Sequence, residues 1–368
     1  MSTTVPFNDL RLQHELLQPE LDTAIQDVIR RSAFVRGPYV DAFAREFAEA
    51  SGAPYCIPCA NGTDAIYIAL RALGVGPGDE VITTAHTWIA SSESITQAGA
   101  RVVFCDTDEQ SFLIDTEQIE AMITPATRGL IVVHLFGQAV DMERIGEIAS
   151  RHGLWVIEDC AQAHMASYRG RPVGTMGDVG IFSFYPGKNL GAMGDAGAIV
   201  TARKDLADWM ALYANHGGKG DHRIEGINSR LDGLQAAVLS VKLKRLGSWT
   251  RRRQSLAGRY TQLLRGTGDI RCPETLAERE HVWHLYVIKT GRRESLRAFL
   301  SDHGVATQIN YPVALPNCGA YRYLGHRPED FPNATRNQER ILSLPLYPEM
   351  TEVQQEYVVE IIRRFFGS

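Results

Sequence analysis

The chain has 368 residues, with 38 Lys plus Arg against 43 Asp plus Glu and a formal net charge of −5. That length allows a large core and two packed domains, and it excludes a peptide, a small module or a disordered tail. The acidic balance gives no chain-wide attraction to nucleic acid or to an anionic membrane surface, so a phosphate-bearing ligand has to be held by local groups.

Leu17, Leu21, Ile25, Val28 and Ile29 recur at helical spacing, and Pro38 opens a second helix carrying Val40, Phe43 and Phe47. A βα alternation follows. Short apolar strands are expected at Tyr55–Pro58, Glu80–Thr83, Val102–Cys105, Gly129–His134 and Leu154–Glu158, with helical patterns between them. This predicts an α/β fold with a mostly parallel sheet covered on both faces. Two further strands, Gly180–Phe184 and Ala198–Thr201, flank a glycine-rich bend and read as an inserted hairpin-like pair, which brings the sheet to seven strands. Leu231–Leu246 and Trp249–Leu264 read as two amphipathic helices, and a strand at Leu285–Lys289 begins a smaller α+β part. A large domain is therefore expected over 1–245 and a small C-terminal domain over 246–368, joined rigidly because no Pro-rich linker separates them.

The cysteines Cys56, Cys59, Cys105, Cys160, Cys272 and Cys318 are spread over the whole length, which fits a reducing compartment. The longest apolar runs, such as Leu130–Val133, are far too short for a membrane span. A soluble, cytoplasmic protein is expected, without nucleic-acid or membrane partners.

Neither G-x-G-x-x-G nor a P-loop occurs, which demotes a dinucleotide dehydrogenase or an NTPase. Asn61-Gly62-Thr63-Asp64 follows the first strand and opens a helix. It reads either as a phosphate cup on free N–H groups or as an ordinary N-cap made by Thr63 or Asp64. Glu158-Asp159 ends the apolar stretch Leu154-Trp155-Val156-Ile157, so a carboxylate reaches the carboxyl end of a buried strand and needs a cationic partner. Gln162 and His164 follow closely. Only six lysines occur, and Lys188 alone follows an apolar strand and precedes a glycine-rich turn. Lys242 and Lys244, on an amphipathic helix, and Lys204, near a helix start, read as solvated. A lysine among apolar and aromatic residues tends to lose its proton and serve as a nucleophile or base, the alternative for Lys188 being an exposed loop lysine.

A Schiff-base lysine, an acidic partner for a pyridine nitrogen and a phosphate site are the needs of pyridoxal 5'-phosphate. Lys188, Asp159 and Gly62-Thr63 supply them, with Ser183 as an extra phosphate donor and Trp88 as a residue to stack on the ring or fill the core. Cys56-x-x-Cys59, with no second pair, reads as buried structural cysteines, and His281, Trp283 and His284 read as packing. No metal is expected.

The ordered segments Ala60-Asn61-Gly62-Thr63-Asp64-Ala65, Glu158-Asp159-Cys160-Ala161-Gln162, Ser183-Phe184 through Lys188, Gly194-Asp195-Ala196-Gly197-Ala198 and Asn228-Ser229-Arg230-Leu231-Asp232 resemble the PLP-dependent sugar-nucleotide aminotransferases. The likeness runs from Pro6-Phe7-Asn8-Asp9-Leu10 to Leu344-Pro345. It implies a fold type I, aspartate-aminotransferase-like architecture and a homodimer with shared active sites. Lys188 would bond covalently to the cofactor, Asp159 would bind its pyridine nitrogen, Trp88 would stack on it, and Gly62, Thr63 and Ser183 would hold its phosphate. Gln162 would sit near the ring hydroxyl, and Asn228 would reach the phosphate from the neighbouring subunit. Arg230, Tyr185, Asn310 and Tyr311 would contact the nucleotide-linked ketosugar, with glutamate as amino donor.

The stretch Tyr185-Pro186-Gly187-Lys188-Asn189-Leu190-Gly191 is similar to that of relatives acting on 3-keto sugars, whereas 4-keto relatives carry a histidine before the proline. Transfer to C3 of a UDP- or dTDP-linked sugar is therefore expected, a 4-keto acceptor being the alternative. Ile309-Asn310-Tyr311-Pro312 departs from the His-Tyr-Pro of many relatives, and asparagine, which cannot become cationic, suits a neutral sugar. A sugar dehydratase on the same scaffold would have replaced the lysine, and a non-catalytic regulatory homologue would not need the Lys188 and Asp159 pair.

Overall fold

The computed structural model describes residues 4–367. Helix α1 (Leu10–Arg30) begins earlier than the apolar periodicity suggests, because the Asp9 side chain accepts from Leu12 N at 2.9 Å and caps the Leu10-Arg11-Leu12-Gln13 turn. Helix α2 (Pro38–Ser51) starts at Pro38, as read from the sequence.

Five strands then alternate with helices: β1 (Tyr55–Cys59), α3 (Gly62–Ala72), β2 (Glu80–Thr84), α4 (Ala90–Gln97), β3 (Arg101–Cys105), α5 (Thr116–Met122), β4 (Thr127–Val133), α6 (Met142–His152) and β5 (Trp155–Asp159). Two short strands, β6 (Ser167–Tyr168) and β7 (Arg171–Pro172), precede β8 (Val179–Ser183) and β9 (Gly197–Thr201). The main sheet has seven strands in the order β1-β9-β8-β5-β4-β2-β3. All are parallel except β9, which lies antiparallel to both β1 and β8. The hairpin expected from the glycine-rich bend is thus present, and its second strand is also the partner of β1.

Side chains alternate across the pleat, so each strand feeds two cores. Ile82, Leu130, Val132 and Val156 enter one face, and Val81, Ile131, Ile157, Ile181 and Ile199 enter the other. Because both faces are covered, the only part of these strands that can meet a ligand is their ends.

After α7 (Lys204–Tyr213), one helix of 32 residues, α8 (Gly233–Leu264), runs unbroken through position 245, where the sequence suggests two helices. Leu246, Thr250 and Arg253 are buried on either side of Gly247-Ser248, so packing carries the helix through that pair despite its low helix propensity. Short strand β10 (Arg279–Glu280) pairs with β6. The C-terminal part pairs β11 (Tyr286–Lys289) with β12 (Ile341–Leu344), antiparallel, beside α9 (Arg293–Asp302), α10 (Pro332–Arg340) and α11 (Glu352–Phe366). Its core joins Leu296, Leu300, Val358 and Ile362 to Leu256 and Tyr260 of α8. The long helix therefore serves both parts, Leu17, Leu21 and Val238 packing together near its start.

Candidate active site

Four strand ends converge. β5 delivers Asp159, β1 leads into the first turn of α3, β8 leads through Ser183 to Lys188, and β2 leads to His86 and Trp88.

Asp159 is buried, 5% exposed. Its Oδ2 accepts from Ser91 Oγ at 2.8 Å and its Oδ1 from Ala161 N at 3.1 Å. Burial raises its pKa above the ordinary carboxylate value, against the opposing pull of Ser91, the Ala161 amide and the charge of Lys188. Among the described residues no cation pairs with it. A buried carboxylate held by two donors and short of a cation is what a protonated pyridine nitrogen would complete.

Lys188 lies in the turn after β8, its N–H donating to the Tyr185 carbonyl at 2.8 Å. Burial lowers its ammonium to about 8, and Asp159 pulls the other way. Lys188 is half-buried in this turn, so the exposed-lysine alternative is not the one realised. His164 is fully buried behind this turn, its ring 5.5 Å from Phe182 and 5.6 Å from Phe184, and burial pushes its pKa down to about 3. It is a neutral core imidazole.

The N-cap of α3 is Asn61, which accepts from Asp64 N at 2.8 Å, in place of Thr63 or Asp64. That choice leaves the Gly62 and Thr63 N–H groups, which no helical carbonyl can reach, pointing off the helix start. Ser183 lies against this turn: a Cβ on Gly62 would fall 2.7 Å from Ser183 Cβ. Glycine is needed for that close approach, and the result is a cradle of amides beside a hydroxyl. Ser229 Oγ donates to Asp64 Oδ2 at 2.6 Å and accepts from Ala60 N at 3.1 Å, tying the 228–230 segment to the same turn. Asn228 is exposed and Arg230 half-buried on either side of it.

Gln162 accepts on Oε1 from Phe136 N at 2.7 Å and donates from Nε2 to Tyr311 OH at 2.8 Å, so its amide orientation is fixed. His86 Nε2 lies 2.9 Å from the Tyr311 carbonyl and holds the Tyr311 backbone. Trp88 is 57% exposed, with its indole 5.6 Å from the Tyr311 ring. Tyr185 is exposed, and Asn310 Oδ1 accepts from Ser343 Oγ of β12 at 2.8 Å.

Three residues that matter here carry no sequence motif: Ser91, His86 and Phe136. Ser91 sits on the buried face of α4, a pattern that flags burial without naming a partner. Besides the N-cap of α3, a further sequence expectation is corrected. Lys242 is fully buried, because α8 is covered by α1 and by the Lys188 turn on that side, whereas Lys204 and Lys244 are exposed as expected.

Glu158 faces away from Asp159 and is fully buried. Burial pushes its pKa up, but the bond from His134 Nε2 at 2.9 Å and the amides of Gly174 and Gly177 outweigh it and hold the carboxyl low. His134, Glu158 and Cys160 place ligand atoms within 4.8 Å of one another. Their donors and acceptors are already used: His134 Nδ1 accepts from Val140 N, and Glu158 takes Met176 N as a fourth donor. The trio is a structural clamp beneath the sheet. Cys59 Sγ likewise bonds within its own turn, to the Asn61 carbonyl at 3.3 Å, and His281 stacks on Trp283 at 3.8 Å.

Comparison with known proteins agrees with this chemistry. The profile of the DegT/DnrJ/EryC1/StrS aminotransferase family matches residues 16–363. A protein of Geobacillus stearothermophilus named "Pleiotropic regulatory protein" is 46% identical over 98% of both chains. The dTDP-3-amino-3,4,6-trideoxy-alpha-D-glucose transaminase of Streptomyces venezuelae is 41% identical over 98% of this chain and 96% of its own length. The crystal structure of S. venezuelae DesV in complex with a ketimine intermediate superposes with a TM-score of 0.97 at 40% identity, covering 99% of each chain. No helix among the described residues is long and apolar enough to cross a membrane.

Proposed function

We propose, from the premise that this chain belongs to the DegT/DnrJ/EryC1/StrS aminotransferase family, that it moves an amino group from glutamate to C3 of a 3-keto sugar carried on dTDP or UDP, in amino-sugar biosynthesis. That it is a pyridoxal-phosphate-dependent sugar aminotransferase follows from the family. The observation that carries the reading is the pair at the carboxyl edge of one sheet: a lysine whose ammonium burial disfavours, and an aspartate buried without a cation. The choice of C3 is supported by the Tyr185-Pro186-Gly187-Lys188 stretch and by the 3-amino sugar for which the Streptomyces transaminase is named.

Bound pyridoxal phosphate supplies an electron sink for the carbanion formed when the donor's α-proton leaves. The chain does the rest. Asp159, oriented by Ser91 Oγ and Ala161 N–H, keeps a proton on the pyridine nitrogen and is relieved of its own unpaired burial. Lys188 Nζ, deprotonated in a larger fraction than an exposed lysine, takes the proton from the donor's α-carbon and delivers it to C4′. Gly62 and Thr63 N–H and Ser183 Oγ hold the phosphate, which fixes the ring relative to Lys188. Gln162 Nε2 contacts the ring hydroxyl, and Trp88 covers the ring and excludes water. In a homodimer Asn228 reaches the partner subunit's phosphate site, and Arg230, Tyr185, Asn310 and Tyr311 contact the nucleotide-sugar. The 1–245 and 246–368 parts act as cofactor domain and small domain.

Purified protein should turn yellow with pyridoxal phosphate, lose that colour with glutamate and regain it with a 3-keto sugar nucleotide. Persistent absence of colour would remove the cofactor assignment. Recovery with 4-keto acceptors alone would move the acceptor carbon.

A further inference from the structure

Lys242 on α8 is 0% exposed. Its Nζ donates to the Gly191 carbonyl at 2.8 Å and lies 3.0 Å from His14 Nε2 on α1. Burying an ammonium is costly unless hydrogen bonds replace its hydration. Among the described residues no carboxylate stands within salt-bridge distance; Glu349, bonded to Gln13 Nε2 at 3.3 Å, attracts the amine from further off. A methionine would supply the same packing without that cost, so the amine's remaining contribution is its grip on Gly191 and His14.

Gly191 closes the turn that carries Lys188. A Cβ on Gly191 would lie 2.2 Å from the Pro186 carbonyl oxygen, so the two ends of the turn touch. Within the turn Lys188 N donates to Tyr185 O, and just beyond it Ala192 N donates to Phe184 O, each at 2.8 Å. The other flank is fixed by Asn189, whose Nδ2 donates to Val282 O at 3.1 Å and whose Oδ1 lies 3.1 Å from His284 Nδ1. Among the described residues, only the Gly191 side is held by a lysine.

We propose that Lys242 is a positioning residue for Lys188: its buried ammonium holds the Gly191 carbonyl from the side of α8 and fixes the Pro186–Gly191 turn that presents Lys188 to the cofactor. His14 supports it. Burial and the Lys242 charge keep the imidazole's pKa low, so its Nε2 is free to accept. Burial brings Lys242 itself to about 8, opposed by Glu349.

The proposal rests on Lys188 as the covalent anchor of the cofactor, and the test separates the two. Lys188 Nζ condenses with the aldehyde carbon of pyridoxal phosphate, a C=N bond forms and water leaves. Borohydride then adds hydride to that carbon, and mass spectrometry locates the adduct. Pyridoxamine phosphate, which forms no bond to lysine, reports the rest of the site. Lys242→Met should slow trapping on Lys188 by ten-fold or more with pyridoxamine phosphate affinity unchanged, and Lys242→Arg, which keeps a donor, should restore trapping to within three-fold. Equal trapping in Lys242→Met and wild type, equal losses in both measurements, or failure of both variants to fold would overturn the role of Lys242. No adduct on Lys188 in the wild type would instead overturn the anchor.

Discussion

Ser91 Oγ donates to Asp159 Oδ2 at 2.8 Å from the first turn of α4, across the carboxyl edge of the sheet. With Ala161 N on the other oxygen, this aims the carboxylate at one point and opposes the rise in pKa that burial imposes. On the proposed assignment, the cofactor's nitrogen would then meet an acceptor that needs no rearrangement.

Ser91→Ala should therefore weaken cofactor binding without unfolding the protein. A hydrogen bond to a charged group is worth about 2 kcal/mol, roughly a thirty-fold rise in the dissociation constant of pyridoxal phosphate. Equilibrium titration followed by absorbance checks this, and an unchanged constant would show that Ala161 alone orients Asp159.

The position of Lys188 predicts a pH profile. Its ammonium loses its proton at about 8 in the folded protein because burial disfavours the charged form. Only the neutral amine can attack, so the rate at which apoprotein captures pyridoxal phosphate should rise with pH through about 8 and then level off. Stopped-flow absorbance measures it. A rate still climbing at the ordinary lysine value would mean that Lys188 is solvated. Lys188→Ala should bind cofactor without bonding to it and should show no turnover.

Gly62→Ala should damage the phosphate cradle selectively, because the new methyl would meet Ser183 Cβ at 2.7 Å. Overpacking of this kind costs about 1–3 kcal/mol. Since both atoms belong to the groups assigned to the phosphate, the expected result is a ten-fold or greater loss of pyridoxal phosphate affinity with little change in affinity for pyridoxal lacking the phosphate. Comparing the two ligands by titration separates a local effect from a general one.

Glu158 predicts an effect on stability instead of chemistry. It is buried and accepts from His134 and three backbone amides, so Glu158→Ala should cost about 3–5 kcal/mol in urea unfolding. The hydrogen bonds hold its folded pKa below the ordinary carboxylate value despite burial. Its contribution is thus complete above the unfolded value and lost as pH falls through the folded one. The gap between wild type and variant should narrow on acidification, and a gap that widened would contradict this sign.

The seven strands of the main sheet were legible because each is a short apolar run bounded by glycine or by helix starts, and neighbours such as Leu130 and Ile131 are buried on opposite faces of the sheet. Lys188 and Asp159 were legible because Asp159 closes one such run and Lys188 lies in the turn after another. Ser91, His86 and Phe136 were not. Their partners, Asp159, Tyr311 and Gln162, lie far away in sequence, and a serine on an apolar helix face or an amide at a strand end carries no pattern of its own. Lys242 misled for a related reason: an amphipathic helix predicts which face is polar, but α1 and the Lys188 turn cover part of the polar face of α8. The helix break expected after Leu246 failed because Leu246, Thr250 and Arg253 stay buried across Gly247-Ser248, and packing overrides the weak helix propensity of that pair.

The central claim is tested most directly by the position of the new amine. Wild-type protein, pyridoxal phosphate and glutamate would be incubated with dTDP- and UDP-linked 3-keto and 4-keto sugars, and the products assigned by NMR. The account predicts a nitrogen on C3 from the 3-keto acceptors and none from protein carrying Lys188→Ala. Amine found only at C4, or equal product from the Lys188 variant, would contradict it.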